Sequence, residues 1–153
     1  MDVRRLRLGD AGLGVETIRR LKAPEGYPEP TESYFDVFLA RPENVFIVAT
    51  DEDEPIGYLA AYLLDRIDRQ QPMVFLYEIE VASAYRRRGV GRQLIHVLKS
   101  VCRQENAMKM WVPTARSNVA ATRLYASTGA APLANDDEVT YAYSQESFAD
   151  PLM

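Results

Sequence analysis

FLYEIEVASAYRRRGVGRQLI, residues 75–95, combines a strand, a turn and the start of a helix. The segment up to Val81 is rich in β-branched and aromatic residues, which is typical of a strand. From Val90 onward, apolar residues recur at three- and four-residue intervals, which predicts an amphipathic helix. Gly89 and Gly91 lie between the two, where unpaired helix N–H groups and the helix dipole favour a bound anion. The stretch therefore predicts a strand, a glycine turn and a candidate phosphate site at a helix N-terminus.

The spacing of the glycines excludes two common nucleotide loops. No Gly-Lys-Ser/Thr follows the turn, so it is not a P-loop, and Leu94 stands where G-x-G-x-x-G has its third glycine. A strand-to-helix turn with solubilising arginines explains the same residues equally well. On these residues alone, both interpretations stay open.

Composition narrows the class of protein. The chain has 153 residues, 47% of them hydrophobic and 26% charged, which predicts one globular domain over residues 1–153. Its net charge of −4 argues against a nucleic-acid partner. Because Cys102 and His96 are the only residues of their types, an intrachain disulfide, a metal site and a Ser-His-Asp triad are not expected. No apolar run is long enough for a membrane span or a signal region, so we expect a cytoplasmic protein without a membrane partner.

Periodicity predicts the element order β-α-α-β-β-β-α-β-α-β. Strands are predicted at residues 3–8, 45–50, 55–64, 73–82, 108–114 and 139–144, with a further short one considered at 131–134. Helices are predicted at residues 12–22, 31–40, 89–106 and 117–129. The order indicates an α/β (α+β) domain: a mixed, mostly antiparallel sheet of six to seven strands, flanked by about four helices.

A second motif lies downstream of the glycine turn. NVAATRLYASTG, residues 118–129, fits the pattern N-x-x-A-x-x-L-Y-x-x-x-G, and Arg86, Gly89 and Gly91 fit R/Q-x-x-G-x-G/A. With both motifs in this order, the chain resembles the GNAT superfamily of N-acetyltransferases along nearly its whole length. The resemblance implies the GNAT fold, a sheet splayed between its fourth and fifth strands, and acetyl-coenzyme A (acetyl-CoA) as cosubstrate.

The resemblance also implies residue roles. Backbone amides of the glycine turn would hold the pyrophosphate, the arginines would pair with phosphates, and the end of the preceding strand would bind pantetheine and the acetyl carbonyl. Tyr125 would donate a proton to the departing thiolate, since a phenol is protonated at neutral pH. The coenzyme-binding residues implied are Ile79, Val81, Ala82, Arg86, Arg87, Arg88, Gly89, Val90, Gly91 and Asn118.

Glu78 and Glu80 are the candidate bases. They lie two residues apart on one strand and so share a face. A carboxylate there can take a proton from an acceptor amine and attract its cation, and carboxylates are rarely left on an interior strand without a reason. A solvated or arginine-paired face is the alternative, and which of the two is the base stays open.

A narrower resemblance concerns the acceptor. Tyr77, Glu78, Ile79 and Val81 are in register with the I-Y-D-L-A-V strand of the gentamicin-type aminoglycoside 3-N-acetyltransferases. Glu78 replaces an aspartate of that strand and Glu80 a small residue, while residues 111–125 lack the acids of that family's V-Q-A-D stretch. The resemblance implies an aminoglycoside acceptor, with Tyr77 shaping its site.

Acidic loops offer separate support for a cationic acceptor. Residues 23–40 contain Glu25, Glu29, Glu32 and Asp36 without lysine or arginine, and residues 135–139 add a second acidic group. An acidic funnel would attract a polycation, although two solvated acidic loops explain the same pattern equally well. The predicted acceptor-binding residues are Tyr77, Glu32, Asp36, Asp136 and Asp137.

These observations favour an acetyl-CoA-dependent N-acetyltransferase that acts directly in a ternary complex and acetylates an aminoglycoside antibiotic, conferring resistance. Acetylation of another small amine or of a protein N-terminus is the alternative within the same chemistry. A coenzyme-A-binding regulatory domain without turnover is the alternative from another class. A homodimer is expected from the superfamily, and Trp111 and Met110 are predicted to lie in the core.

Overall fold

The computed structural model describes residues 1–133, 141 and 145. Within them the strands are β1 (Asp2–Arg5), β2 (Asn44–Asp51), β3 (Glu54–Leu64), β4 (Met73–Val81) and β5 (Lys109–Trp111). The α-helices are α1 (Ala11–Leu21), α2 (Glu32–Ala40), α3 (Val90–Gln104) and α4 (Val119–Ser127). The predicted element order is confirmed as far as α4. None of the helices formed by the described residues is both long and apolar enough to cross a lipid bilayer.

The sheet has the strand order β1-β2-β3-β4-β5. The first four strands are antiparallel to their neighbours, and β5 is parallel to β4, so the prediction of a mixed, mostly antiparallel sheet is confirmed. The predicted count of six to seven strands is not confirmed, because the described residues form a sheet of five. Residues 131–133 form no strand, and the strand predicted at 139–144 lies almost wholly outside the described residues.

A bulge in β4 determines which side chains share a face. Ala60 of β3 pairs with Glu78, but Ala61 pairs with Leu76, so Tyr77 is the extra residue. Strict alternation would place Tyr77 and Glu78 on opposite faces of the sheet. The extra residue instead brings both to the face covered by α1 and α2.

The core lies on both faces of the sheet. On one face, α3 packs through Leu94 and Leu98 against residues of β2, β3 and β4 such as Leu59. On the other face, α1 and α2 pack through Val15 and Phe35 against a second cluster on β2 and β3. Helix α2 begins where the sequence predicts, because the Thr31 hydroxyl accepts a hydrogen bond from the Tyr34 N–H at 3.1 Å.

Two glycines of α1 provide a test of how closely α1 and α2 pack. A Cβ at Gly14 would lie 2.4 Å from the ring of buried Phe35, whereas a Cβ at Gly12 would lie 3.6 Å from the Glu32 carboxylate. The Phe35 ring is held by Phe46 at 5.3 Å, so it has little room to move. We expect Gly14→Ala to lower the free energy of unfolding by about 1–3 kcal/mol through overpacking. Gly12→Ala should raise it by up to about 1 kcal/mol through helix propensity.

Urea unfolding of both variants measures these free energies. The two substitutions are chemically identical and lie on the same helix, so propensity cancels in the comparison. Equal stability of the two variants would contradict the close packing at Gly14.

Candidate active site

The N-terminus of α3 is open. Gly89 precedes it with φ 84°, a left-handed conformation that glycine adopts without strain, and no side chain caps the helix. The first helical hydrogen bond runs from the Gln93 N–H to the Gly89 carbonyl at 3.1 Å. The amides of Val90, Gly91 and Arg92 therefore have no partner within the helix. Together with the helix dipole, they form a site suited to a phosphate or pyrophosphate.

Gly91 is needed for a different reason. A Cβ there would lie 3.0 Å from Cδ2 of Leu124, so the absence of a side chain lets α3 and α4 approach each other. Leu124 belongs to the downstream motif, and Tyr125 follows it. The two sequence motifs are thus in direct contact in the folded chain.

The three arginines before the turn have different surroundings. Arg86 donates from Nε to the Val81 carbonyl at 3.0 Å and pairs through Nη2 with the Glu80 carboxylate at 3.1 Å. Arg87 is exposed, and the guanidinium of Arg88 lies 5.5 Å from the centre of the Tyr85 ring. Arg86 therefore links the end of β4 to the turn, while the other two extend charge around it.

Strand β4 loses its partner on one side. Pairing with β5 involves only Met73, Val74 and Phe75, opposite Lys109–Trp111. Beyond Phe75, the edge of β4 has no pairing with β5. The two strands were expected to separate in this part of the sheet. On the other edge, pairing with β3 continues to Val81, and the Ala82 N–H donates to the Ile56 carbonyl at 2.9 Å. The end of β4 is therefore fixed on one edge and available for backbone hydrogen bonds on the other.

Helix α4 brings Tyr125 to the same region. Tyr125 is half-buried against the core cluster that also contacts Ile79 and Val81. Its burial raises the pKa of the Tyr125 hydroxyl, which therefore keeps its proton at neutral pH. Asn118 caps α4, with its side-chain oxygen accepting from the Ala121 N–H at 3.2 Å. The side-chain oxygen of Asn118 is therefore already engaged in a hydrogen bond that stabilises the start of α4.

Glu78 and Glu80 lie on the α1 and α2 face, opposite Ala60 and Tyr58 of β3. Glu78 accepts from Lys22 Nζ at 2.5 Å and from the Tyr58 hydroxyl at 3.2 Å. Burial and the Glu78 carboxylate both raise the pKa of Tyr58, so this hydroxyl remains a donor to Glu78. Both carboxylates have a cationic partner, Lys22 for Glu78 and Arg86 for Glu80.

Sequence reasoning missed Lys22 and Tyr58. Lys22 stands one residue before the acidic stretch 23–40, which contains no lysine or arginine, and it reaches a carboxylate 56 residues away. The sequence offered only a weak indication of Tyr58, which is a polar residue in an otherwise apolar strand. In the structure, Tyr58 pairs in register with Glu80.

The predicted acidic funnel is only partly near these carboxylates. Glu25 is close enough to add to the raised pKa of Tyr58. Glu29 instead pairs with Arg19 at 3.1 Å, and Glu32 lies beside Gly12 of α1. Asp36 is exposed on α2. The remaining two, Asp136 and Asp137, lie outside the described residues.

Four aromatic side chains continue along the face that carries Glu78. Tyr77 is 56% exposed, and its ring lies 5.8 Å from that of Tyr62 and 6.0 Å from that of Phe75. Phe75 stacks on Trp111 at 5.0 Å. We call these four residues the aromatic shelf. Trp111, predicted to lie in the core, is half-buried on this shelf, whereas its neighbour Met110 packs against the core.

Known proteins share this fold. The chain resembles two solved structures of aminoglycoside acetyltransferases, one from an uncultured soil metagenomic sample in complex with trehalose and one, AAC(6')-Iy, in complex with CoA. The first is 22% identical, with 94% of this chain and 95% of that chain covered and a TM-score of 0.82. The second is 20% identical, with 94% of each chain covered and a TM-score of 0.75. These similarities show a common fold.

Sequence comparison gives the family. The L-2,4-diaminobutyric acid acetyltransferase of Shouchella clausii (strain KSM-K16) is 30% identical over 108 residues, 69% of this chain and 57% of the relative. The chain thus spans little more than half the length of that relative. The model of the Acetyltransferase (GNAT) family matches residues 14–130, which include the α3 turn, both carboxylates and Tyr125. The chain belongs to the GNAT family of acetyltransferases.

Proposed function

We propose that this protein transfers the acetyl group of acetyl-CoA directly to a primary amine of an aminoglycoside. One observation supports the proposal above all. The uncapped N-terminus of α3 adjoins the end of β4, whose other face carries Glu78 and Glu80. An anion site and a cation site therefore lie at the two sides of one strand end, as a reaction between an anionic coenzyme and a cationic amine requires.

The donor side would bind the coenzyme through backbone groups. The amides of Val90, Gly91 and Arg92 would hold the pyrophosphate, with Arg87 and Arg88 adding charge. The free edge of β4 from Ile79 to Ala82 would hydrogen-bond pantetheine and the acetyl carbonyl. In this arrangement the thioester lies in the gap that opens beyond Phe75.

The acceptor side would supply a neutral amine. Glu78 or Glu80 takes a proton from the amine, and the nitrogen attacks the thioester carbonyl carbon to form the new C–N bond. The C–S bond then breaks, and Tyr125 protonates the thiolate that leaves. The acetylated nitrogen loses its second proton through solvent, which restores the Tyr125 hydroxyl, and the carboxylate releases its proton to solvent.

Finer features of the proposal rest on the sequence resemblance. The 3-amino group would be the position acetylated, a homodimer the working form, and antibiotic resistance in the cytoplasm the biological result. Mass spectrometry and NMR of the product identify the acetylated nitrogen. Gel filtration with light scattering measures the oligomeric state.

A diamino acid is the second candidate acceptor. It is favoured by the similarity to the Shouchella clausii enzyme named for L-2,4-diaminobutyric acid. Such an acceptor carries a carboxylate as well as amines. It would therefore need a cation in addition to Glu78 and Glu80.

The release of free thiol from acetyl-CoA distinguishes these acceptors. Gentamicin, L-2,4-diaminobutyrate, spermidine and a short peptide are compared at equal concentration. We expect turnover with gentamicin to exceed turnover with the other three. Turnover of diaminobutyrate alone would replace the proposed acceptor, and failure to bind coenzyme A would refute acetyl transfer itself.

Gly89 offers a test of the coenzyme site. Gly89 and Gly9 both have a left-handed φ, 84° and 96°, and a Cβ would meet nothing within 4 Å at either. Alanine at either position should cost about 1–2 kcal/mol of backbone strain. We expect only Gly89→Ala to weaken coenzyme A binding, by about 5- to 30-fold if that strain falls on the bound conformation.

Isothermal titration calorimetry measures the dissociation constant of each variant. Gly9→Ala is the matched control, because it carries the same strain in the β1–α1 turn. An unchanged affinity in Gly89→Ala, or equal losses in both variants, would contradict an anion site at the start of α3.

A further inference from the structure

We propose that the aromatic shelf binds the additional rings of a multi-ring amino-sugar acceptor and so selects such acceptors over single-ring amines. This inference rests on the proposed function, because it assumes that an amine is acetylated beside Glu78. It assigns Tyr62, Phe75 and Trp111 a role in acceptor binding. It also makes the role of Tyr77 specific, as a contact for the additional rings.

The shelf adjoins the carboxylates because of the bulge in β4. The bulge brings Tyr77 to the face of Glu78, and Phe75 pairs with Tyr62 one step farther along β4. The Glu78 carboxylate is close enough to contribute to the raised pKa of Tyr62, after burial and Tyr77. A cation held by Glu78 would thus lie beside the first ring of the shelf.

The shelf is an accessible surface at the boundary of α2. Phe38 of α2 contacts Tyr62 edge to face at 6.4 Å, which marks where the helix covers the sheet. Beyond that contact, Tyr77 is 56% exposed, while Phe75 and Trp111 are half-buried. A contiguous aromatic surface of this kind on a protein is often a binding site.

The dimensions of the shelf favour an acceptor with several rings. Its neighbouring ring centres are separated by 5.0 Å, 6.0 Å and 5.8 Å, from Trp111 through Phe75 and Tyr77 to Tyr62. A single six-membered ring with its amine at Glu78 spans only one of these separations between ring centres. Two or three linked rings can cover the shelf and still place an amine at the carboxylate.

The chemistry of the shelf suits an amino sugar. Aromatic faces pack against the C–H groups of a saturated ring and attract ammonium groups through cation–π contacts. The hydroxyls of Tyr62 and Tyr77 can exchange hydrogen bonds with sugar hydroxyls. Burial raises the pKa of Tyr62, so its hydroxyl stays protonated and available as a donor.

The test compares gentamicin, which has three rings, with 2-deoxystreptamine, the single-ring diamine at its centre. We expect Tyr77→Ala to raise the KM for gentamicin about 2- to 10-fold, the range that one aromatic contact supplies. The KM for 2-deoxystreptamine should rise by a smaller factor, because a single ring held at Glu78 reaches only the Tyr62 and Tyr77 end of the shelf. The kcat for both acceptors should change little. Tyr77→Phe should retain most of the gentamicin affinity, because the ring remains.

Val37→Ala is the control variant. Val37 is 55% exposed, as accessible as Tyr77, but it lies on α2 outside the shelf. Its gentamicin KM should match that of the unaltered protein. Trp111→Leu provides a second variant at the far end of the shelf, where only a multi-ring acceptor reaches, and circular dichroism verifies its fold.

The outcomes separate this inference from the proposed function. If the protein acetylates gentamicin but the shelf variants leave the KM for gentamicin unchanged, the inference about the shelf is overturned and the proposed function stands. Equal increases in the KM for both acceptors would also overturn the inference, because the shelf would then not bind the additional rings. Turnover of other amines without turnover of gentamicin would overturn the proposed acceptor, and the inference with it.

Discussion

We expect Tyr125→Phe to lower kcat about 100-fold at neutral pH, the lower end of the range for a general acid. The phenol hydroxyl is the group that would protonate coenzyme A as it leaves, and phenylalanine retains the ring without the proton. Since the ring packs against the core, the variant should keep its fold and its dissociation constant for coenzyme A. Thiol-release assays measure kcat, and isothermal titration calorimetry measures the dissociation constant for coenzyme A.

Tyr85→Phe is the matched control for Tyr125→Phe. Tyr85 is also half-buried against the same core cluster, so its replacement removes an equivalent hydroxyl. Its kcat should stay within a few-fold of that of the unaltered protein. A fully active Tyr125→Phe would exclude Tyr125 as the proton donor.

The pH dependence follows from the raised pKa of Tyr125. An acid is lost as the pH rises through its pKa, and burial moves that pKa above the usual value of about 10 for tyrosine. The kcat of the unaltered protein should therefore not fall through this group until the pH exceeds about 10. This alkaline loss should be absent from the residual activity of Tyr125→Phe, as measured by kcat between neutral pH and the onset of unfolding.

The second large effect concerns the base. We expect Glu78→Gln to lower kcat about 100-fold, and Glu80→Gln to lower it less than about 10-fold. Glu78 receives a hydrogen bond from Tyr58, which fixes its orientation, whereas Glu80 is paired with Arg86 at the turn. Glutamine preserves the shape of the side chain and an acceptor oxygen, but it removes both the basic carboxylate and its negative charge.

Lys22→Met separates the chemistry of Glu78 from its ion pair. It removes the cationic partner of Glu78 and leaves the carboxylate in place. If proton transfer is the role of Glu78, this variant should lose much less activity than Glu78→Gln. Equal losses would assign the effect to the ion pair, and a large loss in Glu80→Gln alone would make Glu80 the base.

Local sequence patterns predicted much of this fold, because the responsible forces act within a few residues. Gly89 adopts the left-handed conformation that its place before a helix suggests, and Thr31 and Asn118 cap their helices through contacts three residues away. The glycine turn was recognisable because strand, turn and helix are contiguous in the chain.

The acceptor side was less predictable, because pairing between distant segments determines it. The bulge at Tyr77 results from the register between β3 and β4, and alternation within β4 alone would have placed Tyr77 on the opposite face. The contact of Lys22 with Glu78 depends on where α1 ends over the sheet. The position of Trp111 depends on the face that β5 presents, which a three-residue strand does not reveal by its pattern.

The close approach of Gly91 to Leu124 connects the first turn of α3 to α4. In the proposed complex, the diphosphate of coenzyme A would bind at the first turn of α3, and that turn approaches Leu124, the residue before Tyr125. If diphosphate binding shifts this turn and so the orientation of Tyr125, linkage requires the orientation of Tyr125 to affect diphosphate binding in return. Occupancy of the coenzyme site and the orientation of the proton donor would then rise and fall together, so that the acid is aligned when a thioester is present to receive its proton.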